Sequence, residues 1–161
     1  KATARLGTHL QTFPFYVREY KEERNLDIYF VLDISGSMNF GREIEKVKKA
    51  KELTKDLIYS LGKSGDKIGL FLFTEILEQK IKAKSGMKQI KKLNRLIDGY
   101  APKSKKTNLD FCLKTISKSI RKNSVFFIIS DFNSEGSFVS SLKTLRRKHY
   151  LLVSHKSFLK Q

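Results

Sequence analysis

Short runs of continuous apolar residues alternate along this chain with longer stretches in which apolar positions recur every three or four residues. The first pattern belongs to buried strands and the second to amphipathic helices, so the chain reads as an α/β sheet with helices on both faces. Residues 28–32 (IYFVL) are apolar throughout, as suits a strand covered on both sides. A helix is expected over 42–61, with Ile44, Val47, Ala50, Leu53, Leu57 and Leu61 as its inward stripe. Gly62 and then Gly65 and Asp66 stop it and turn the chain into a second buried strand, Ile68–Phe73. Residues 76–81 interleave charges with apolar side chains, the pattern of an edge strand hairpinned to its predecessor. A short helix carrying Met87, Ile90, Leu93 and Ile97 follows, then a loop marked by Gly99 and Pro102. A helix over 108–121 turns Leu109, Cys112, Leu113, Ile116 and Ile120 inward. A strand at 125–129, a helix at 138–147 and a strand at 150–153 complete the order. The fold class expected is a doubly wound, mostly parallel sheet with one antiparallel edge strand, occupying residues 27–161. Residues 1–26 stand apart as an arm or a further edge strand, since Pro14 cannot serve a central ladder.

Length and charge narrow the function classes. A chain of 161 residues suits one domain with one sizeable core. The longest apolar runs are about five residues, against roughly 20 for a membrane span, so no bilayer crossing is expected within it. The chain starts at Lys1 without a leader and is expected to be a fragment. The single cysteine, Cys112, rules out an internal disulfide and a cysteine-rich zinc site, and its place on an apolar helix face makes it a core thiol. A net charge of +17 first suggests nucleic acid. However, the lysines are spread over every expected helix, and Phe71, Phe73, Phe126 and Phe127 lie inside strands, where they cannot stack on bases. A solvated basic surface is the better reading, with a basic nucleic-acid-binding module kept as an alternative.

Ligands of an open α/β sheet bind where strands end and loops turn into helices. Three such turns carry oxygen-bearing side chains: Asp33, Ser35 and Ser37 after the first strand, Thr107 before the helix at 108, and Asp131 after the strand at 125–129. An all-oxygen set suits a hard cation, Mg²⁺ or Mn²⁺, better than zinc. Two carboxylates only balance the ion's charge, so an ion held through the hydroxyls would stay electrophilic and keep a position for a further carboxylate. Gly36 allows the tight turn that aims both serines at one place.

Asp33-x-Ser35-x-Ser37, then Thr107, then Asp131, resembles the metal ion-dependent adhesion site of von Willebrand A domains, with all five positions filled. The resemblance implies a Rossmann-like, doubly wound fold of that type. It also implies that Ser35, Ser37 and Thr107 ligate the ion, that Asp33 and Asp131 act through water, and that an acidic residue of a protein partner completes the shell. Residues 18–24 (REYKEER), the DISGSM run at 33–38 and Ser130-Asp131-Phe132 are similar to a bacterial branch usually encoded beside MoxR-type AAA+ ATPases. That likeness implies a cytoplasmic role in complex assembly or maturation with such an ATPase, and a tether to the inner membrane through residues outside this chain. The chain departs from a full A domain at its end, where a further strand and helix are expected, so a C-terminal truncation is anticipated.

Each residue also has a plainer reading. Ser35 and Ser37 are candidate caps for the first helix, Thr107 or Asn108 for the third, over 108–121, and Asp131 is a candidate turn residue. In that case the domain binds partners without metal. An enzyme is not expected: a phosphatase with Asp33 as nucleophile needs an acid two residues on, where Ser35 stands, and no Walker lysine follows Gly36. Lys103, Lys105 and Lys106 precede Thr107 and read as a solvated loop or as a positive rim that steers an acidic partner.

Overall fold

The computed structural model describes residues 26–36, 41–132 and 138–155, apart from the side chains of Glu43 and His155. The arm expected at 1–26 lies outside these residues except for Leu26, which packs on the core. The chain order is β1 (Asp27–Asp33), α1 (Gly41–Lys63), β2 (Ile68–Phe73), β3 (Leu77–Lys84), α2 (Met87–Gly99), α3 (Leu109–Ser119), β4 (Ser124–Ser130), α4 (Val139–Arg146) and β5 (Tyr150–His155). The strands form a five-stranded sheet in the order β3-β2-β1-β4-β5. β1 runs parallel to β2 and β4, and β4 parallel to β5, while β3 returns antiparallel to β2. The expected fold class is what forms.

Alternation along β1 divides the core. Ile28, Phe30 and Leu32 face α1 and α2, which bring Ala50, Ile58, Leu61, Ile90, Leu93 and Ile97. Tyr29 and Val31 face the opposite way, onto Leu109, Cys112, Leu113 and Ile116 of α3 and Leu145 of α4. A strand buried on both faces has no use for polar side chains, which is why its sequence is a continuous apolar run. Gly69 stands mid-strand in β2 because the Tyr29 ring fills the space beside it. A Cβ there would come within 2.4 Å of that ring. The ring stacks on Phe126 at 5.5 Å, and its hydroxyl accepts from the Ala83 N–H.

Two expected stripes shift. In α1 the buried positions are Val47, Ala50, Thr54, Ile58 and Leu61, while Ile44 is half-exposed and Leu53 and Leu57 are only partly covered. Thr54 can sit on the apolar side because its hydroxyl donates to the Ala50 carbonyl at 2.7 Å, so it carries no open polar group inward. In α2, Met87 is exposed and Gln89 is buried instead. The Gln89 amide donates to the Ile68 and Lys82 carbonyls, tying the helix to both strands of the β2–β3 hairpin. β3 begins at Leu77 and runs to Lys84, three residues past its expected end.

His149, at the entry to β5, is buried: its Nδ1 accepts from the Ser124 N–H at 3.1 Å and its ring meets Phe126 edge-on at 4.9 Å. Burial, helped by the charge of Lys148, pulls its pKa from 6.5 down to about 4, against the Ile120 backbone, which favours the protonated ring. The unfolded chain therefore takes up a proton near pH 6.5 that the folded ring refuses until about pH 4. Stability should be full at neutral pH, fall as pH drops through that window and level off below it, by about 3 kcal/mol in all. Urea denaturation across this range should show the slope in the wild type and a flatter profile in His149→Asn, which keeps an acceptor for Ser124. Equal slopes in both would assign the proton uptake elsewhere.

Candidate metal site at the carboxyl edge of the sheet

β1 is the central strand from which the sheet winds outward in both directions, and its last residue, Asp33, lies level with Phe73 of β2. Leu32 is level with Ile129 of β4, so Ser130 is the next residue along at Asp33's other side. This is the crevice at which open α/β sheets bind ligands. Asp33 is 1% exposed. A carboxylate there must be met by hydrogen-bond donors or it would be costly to bury.

The donors come from two loops and from the end of β4. Asp33 Oδ1 accepts from the Ser35 N–H at 2.9 Å and the Ser35 hydroxyl at 2.5 Å. Asp33 Oδ2 accepts from the Ser130 hydroxyl at 3.1 Å and, over a longer 3.4 Å, from Thr107 Oγ1. The loops are also stitched to one another. Gly36, at φ 78°, donates its N–H to the Lys105 carbonyl at 3.1 Å, and the Asn108 N–H donates to the Thr74 carbonyl at 3.1 Å. A residue with a Cβ would be strained at that φ, which is the reason for glycine after Ser35.

The capping reading of Ser35 and Thr107 does not hold. Asn108 is the N-cap of α3, its side chain accepting from the Phe111 N–H at 3.0 Å, so the Thr107 hydroxyl is left to reach Asp33. Ser35 turns back on Asp33 and lies well before α1 begins at Gly41. Ser37 lies outside the described residues. Asp131 is half-buried immediately after Ser130, at the same edge of the sheet. The side chains of Lys103, Lys105 and Lys106 are exposed beside Thr107.

Sequence reading missed Ser130. Its hydroxyl donates to Asp33 and also accepts from the Phe132 N–H at 3.1 Å. Phe132 takes φ 52°, rare for a bulky residue, and its ring packs on Phe138 with centroids 5.7 Å apart. The Ser-Asp-Phe run is therefore a turn that fixes Asp131's place through Ser130. The signal was available: a hydroxyl at the last position of an otherwise apolar strand faces the same edge as Asp33.

A hard cation fits this donor set. Each hydroxyl that gives its hydrogen to Asp33 keeps two lone pairs, so it can ligate an ion while the carboxylate stands behind it. Among the described residues, there is no group of three or more His, Cys, Asp or Glu that could hold a metal ion. Cys112 is no rival ligand: burial, and after it the charge of Asp33, pushes its thiol far above the usual range. Ser130→Ala removes one of the donors to Asp33 and the acceptor for Phe132. It should lower unfolding free energy by about 1–3 kcal/mol in chemical denaturation. An unchanged midpoint would mean that the Ser130 hydroxyl contributes nothing to holding Asp33.

The family model described as "Protein of unknown function DUF58" matches residues 1–156. No curated protein matches the chain. Among solved structures, the fold is similar to an aerotolerance-related membrane protein from Bacteroides fragilis carrying multiple mutations to serines. That likeness has a TM-score of 0.64 at 16% identity, covering 80% of this chain and 66% of that one. It is similar to proximal thread matrix protein 1 of the mussel byssus with a zinc-occupied MIDAS motif (TM-score 0.58, 16% identity, 80% of this chain, 37% of that one). It is also similar to the vWF domain of the type V pili tip protein Mfa5 from Porphyromonas gingivalis (TM-score 0.54, 19% identity, 68% of this chain, 38% of that one). The chain spans just under two thirds of the first of these and well under half of the other two. At such identities the likeness is one of fold, and the fold is von Willebrand A-like.

Proposed function

The chain belongs to the DUF58 family, and we propose that it is a divalent-metal-dependent protein-binding domain and not an enzyme. The observation that carries this reading is the convergence of Ser35 and Thr107, from separate loops, on the buried carboxylate of Asp33. The hydroxyls of Ser35, Ser37 and Thr107 would hold Mg²⁺ or Mn²⁺, with Asp33 and Asp131 acting through water. When bound, the ion supplies a positive centre that takes an acidic side chain of the partner. Asp33 orients the hydroxyls by accepting their hydrogens, and the stitched loops keep them in place.

The surroundings favour a protein partner. Ile76, in the turn after β2, and Phe111, in the first turn of α3, are large apolar side chains exposed at the same end of the sheet. Lys103, Lys105 and Lys106 form a positive rim that would draw an acidic surface towards the ion. The partner we favour is a MoxR-type AAA+ ATPase, in the assembly or maturation of complexes, on the strength of residues 18–24 and the Ser130-Asp131-Phe132 run. No helix of the described residues is long and apolar enough to cross a membrane. A cytoplasmic domain tethered to the inner membrane through residues beyond this chain agrees with the similar B. fragilis protein's description as a membrane protein.

Calorimetric titration of Mg²⁺ and Mn²⁺ into metal-stripped protein tests the reading. Millimolar or tighter binding is expected, weakened at least about tenfold in both Asp33→Ala and Thr107→Ala. Binding that needs added acetate would place a partner's carboxylate in the shell. No binding with or without acetate would overturn the metal reading and leave a domain that binds partners without an ion.

A further inference from the structure

We propose that Glu78 and Thr74 form a buried strut that sets the Thr107 loop at the ion's distance, making Glu78 a positioning residue of the site. This rests on the metal reading above and concerns a part of the fold that contributes no ligand. Glu78 lies near the start of the edge strand β3 and is 8% exposed, and Thr74 beside it is fully buried. The Thr74 hydroxyl donates to Glu78 Oε2, and the Lys103 N–H donates to Glu78 Oε1 at 2.8 Å. The Thr74 carbonyl accepts from the Asn108 N–H at 3.1 Å. The pair therefore grips the segment 103–108 at both ends, and Thr107 is the residue just before the second grip.

Residues 100–108 have no helix or strand of their own, so hydrogen bonds to neighbouring segments must fix their path. Between the two grips, the Lys105 carbonyl meets Gly36 and the Ser104 hydroxyl donates to Glu75 at 2.6 Å. Among the described residues Glu78 makes no ion pair, in a chain with 33 lysines and arginines. A buried acid held by a hydroxyl and a backbone amide serves geometry: it accepts two donors in fixed directions, whereas a flexible lysine would hold it in many. Groups behind a metal's ligands that orient them typically change affinity by about 10–100-fold when removed.

The test uses Glu78→Leu and Thr74→Val, which break the strut, and Glu78→Gln, which keeps an acceptor for the Lys103 amide. Amide hydrogen exchange in metal-free protein reads the loop by itself, and Mn²⁺ titration reads the site. Exchange at Lys103 and Asn108 should rise at least about tenfold in Glu78→Leu and Thr74→Val, and Mn²⁺ affinity should fall by about 10–100-fold. Glu78→Gln should stay close to wild type in both. Unchanged exchange in the two breaking variants would overturn the strut. Faster exchange with unaltered Mn²⁺ affinity would overturn its role at the site. If wild-type protein binds no ion while the breaking variants loosen the loop, the metal reading fails and the strut stands as a loop tie, so the two failures are distinguishable.

Discussion

A carboxylate almost removed from water is the constraint around which this end of the molecule is arranged. Asp33 closes the central strand, where its backbone has neighbours on both sides and its side chain has no route to bulk solvent. Burying it is tolerable because hydroxyls and an amide from different parts of the chain meet both of its oxygens. Those parts are far apart in sequence: Thr107 lies 74 residues away and Ser130 lies 97. Satisfying one acid thus draws two loops and the end of β4 to one spot. The arrangement that makes the fold affordable is the same one that gathers the hydroxyl oxygens of the proposed cation site.

The rest of the sheet supplies the platform. Parallel pairing in level register puts the ends of β1, β2 and β4 side by side, so their exit loops share one edge. Two apolar faces, one against α1 and α2 and one against α3 and α4, hold that edge rigid. Rigidity would matter to the proposed ion, since one with short oxygen bonds tolerates little error in ligand placement. The antiparallel return into β3 adds what the parallel strands cannot: a turn at the same edge, from which Thr74 and Glu78 reach the loop that precedes α3.

How much of this was legible depended on whether local pattern or long-range contact decided the matter. Continuous apolar runs named the strands because each of the central ones is covered on both faces, a condition that leaves one kind of residue. Asp33, Ser35 and Asp131 drew notice because each stands where a buried strand gives way to a loop, and Thr107 because it stands where a loop enters α3. The structure brings Ser35 and Thr107 to Asp33. The inward stripe of α1 was misread at Ile44, which is exposed, and it missed Thr54, which hides its hydroxyl on its own helix and which periodicity counts as polar. Gln89 was missed for the same reason, its amide being spent on strand carbonyls. Ser130 carried a signal that was passed over, a hydroxyl closing an apolar strand. Glu78, by contrast, owes its role to Lys103, 25 residues away, and no spacing rule encodes such a partner.

The excess of positive charge gains a different meaning beside this site. Asp27, Asp98 and Asp110 are engaged by Lys122, Lys55 and Lys114, so these surface acids are neutralised one by one. Ser35, Thr107 and Ser130 meet Asp33 with neutral hydroxyls, and neutral donors likewise meet Glu78. Neutral donors satisfy a carboxylate without cancelling its charge. Both acids lie at the carboxyl edge of the sheet, beside the hydroxyls of Ser35, Thr107 and Ser130. If a cation binds there as proposed, the exposed lysines around it would face the acidic groups of the partner. On the proposed reading, the net charge of +17 suits an acidic protein surface as well as it suits nucleic acid.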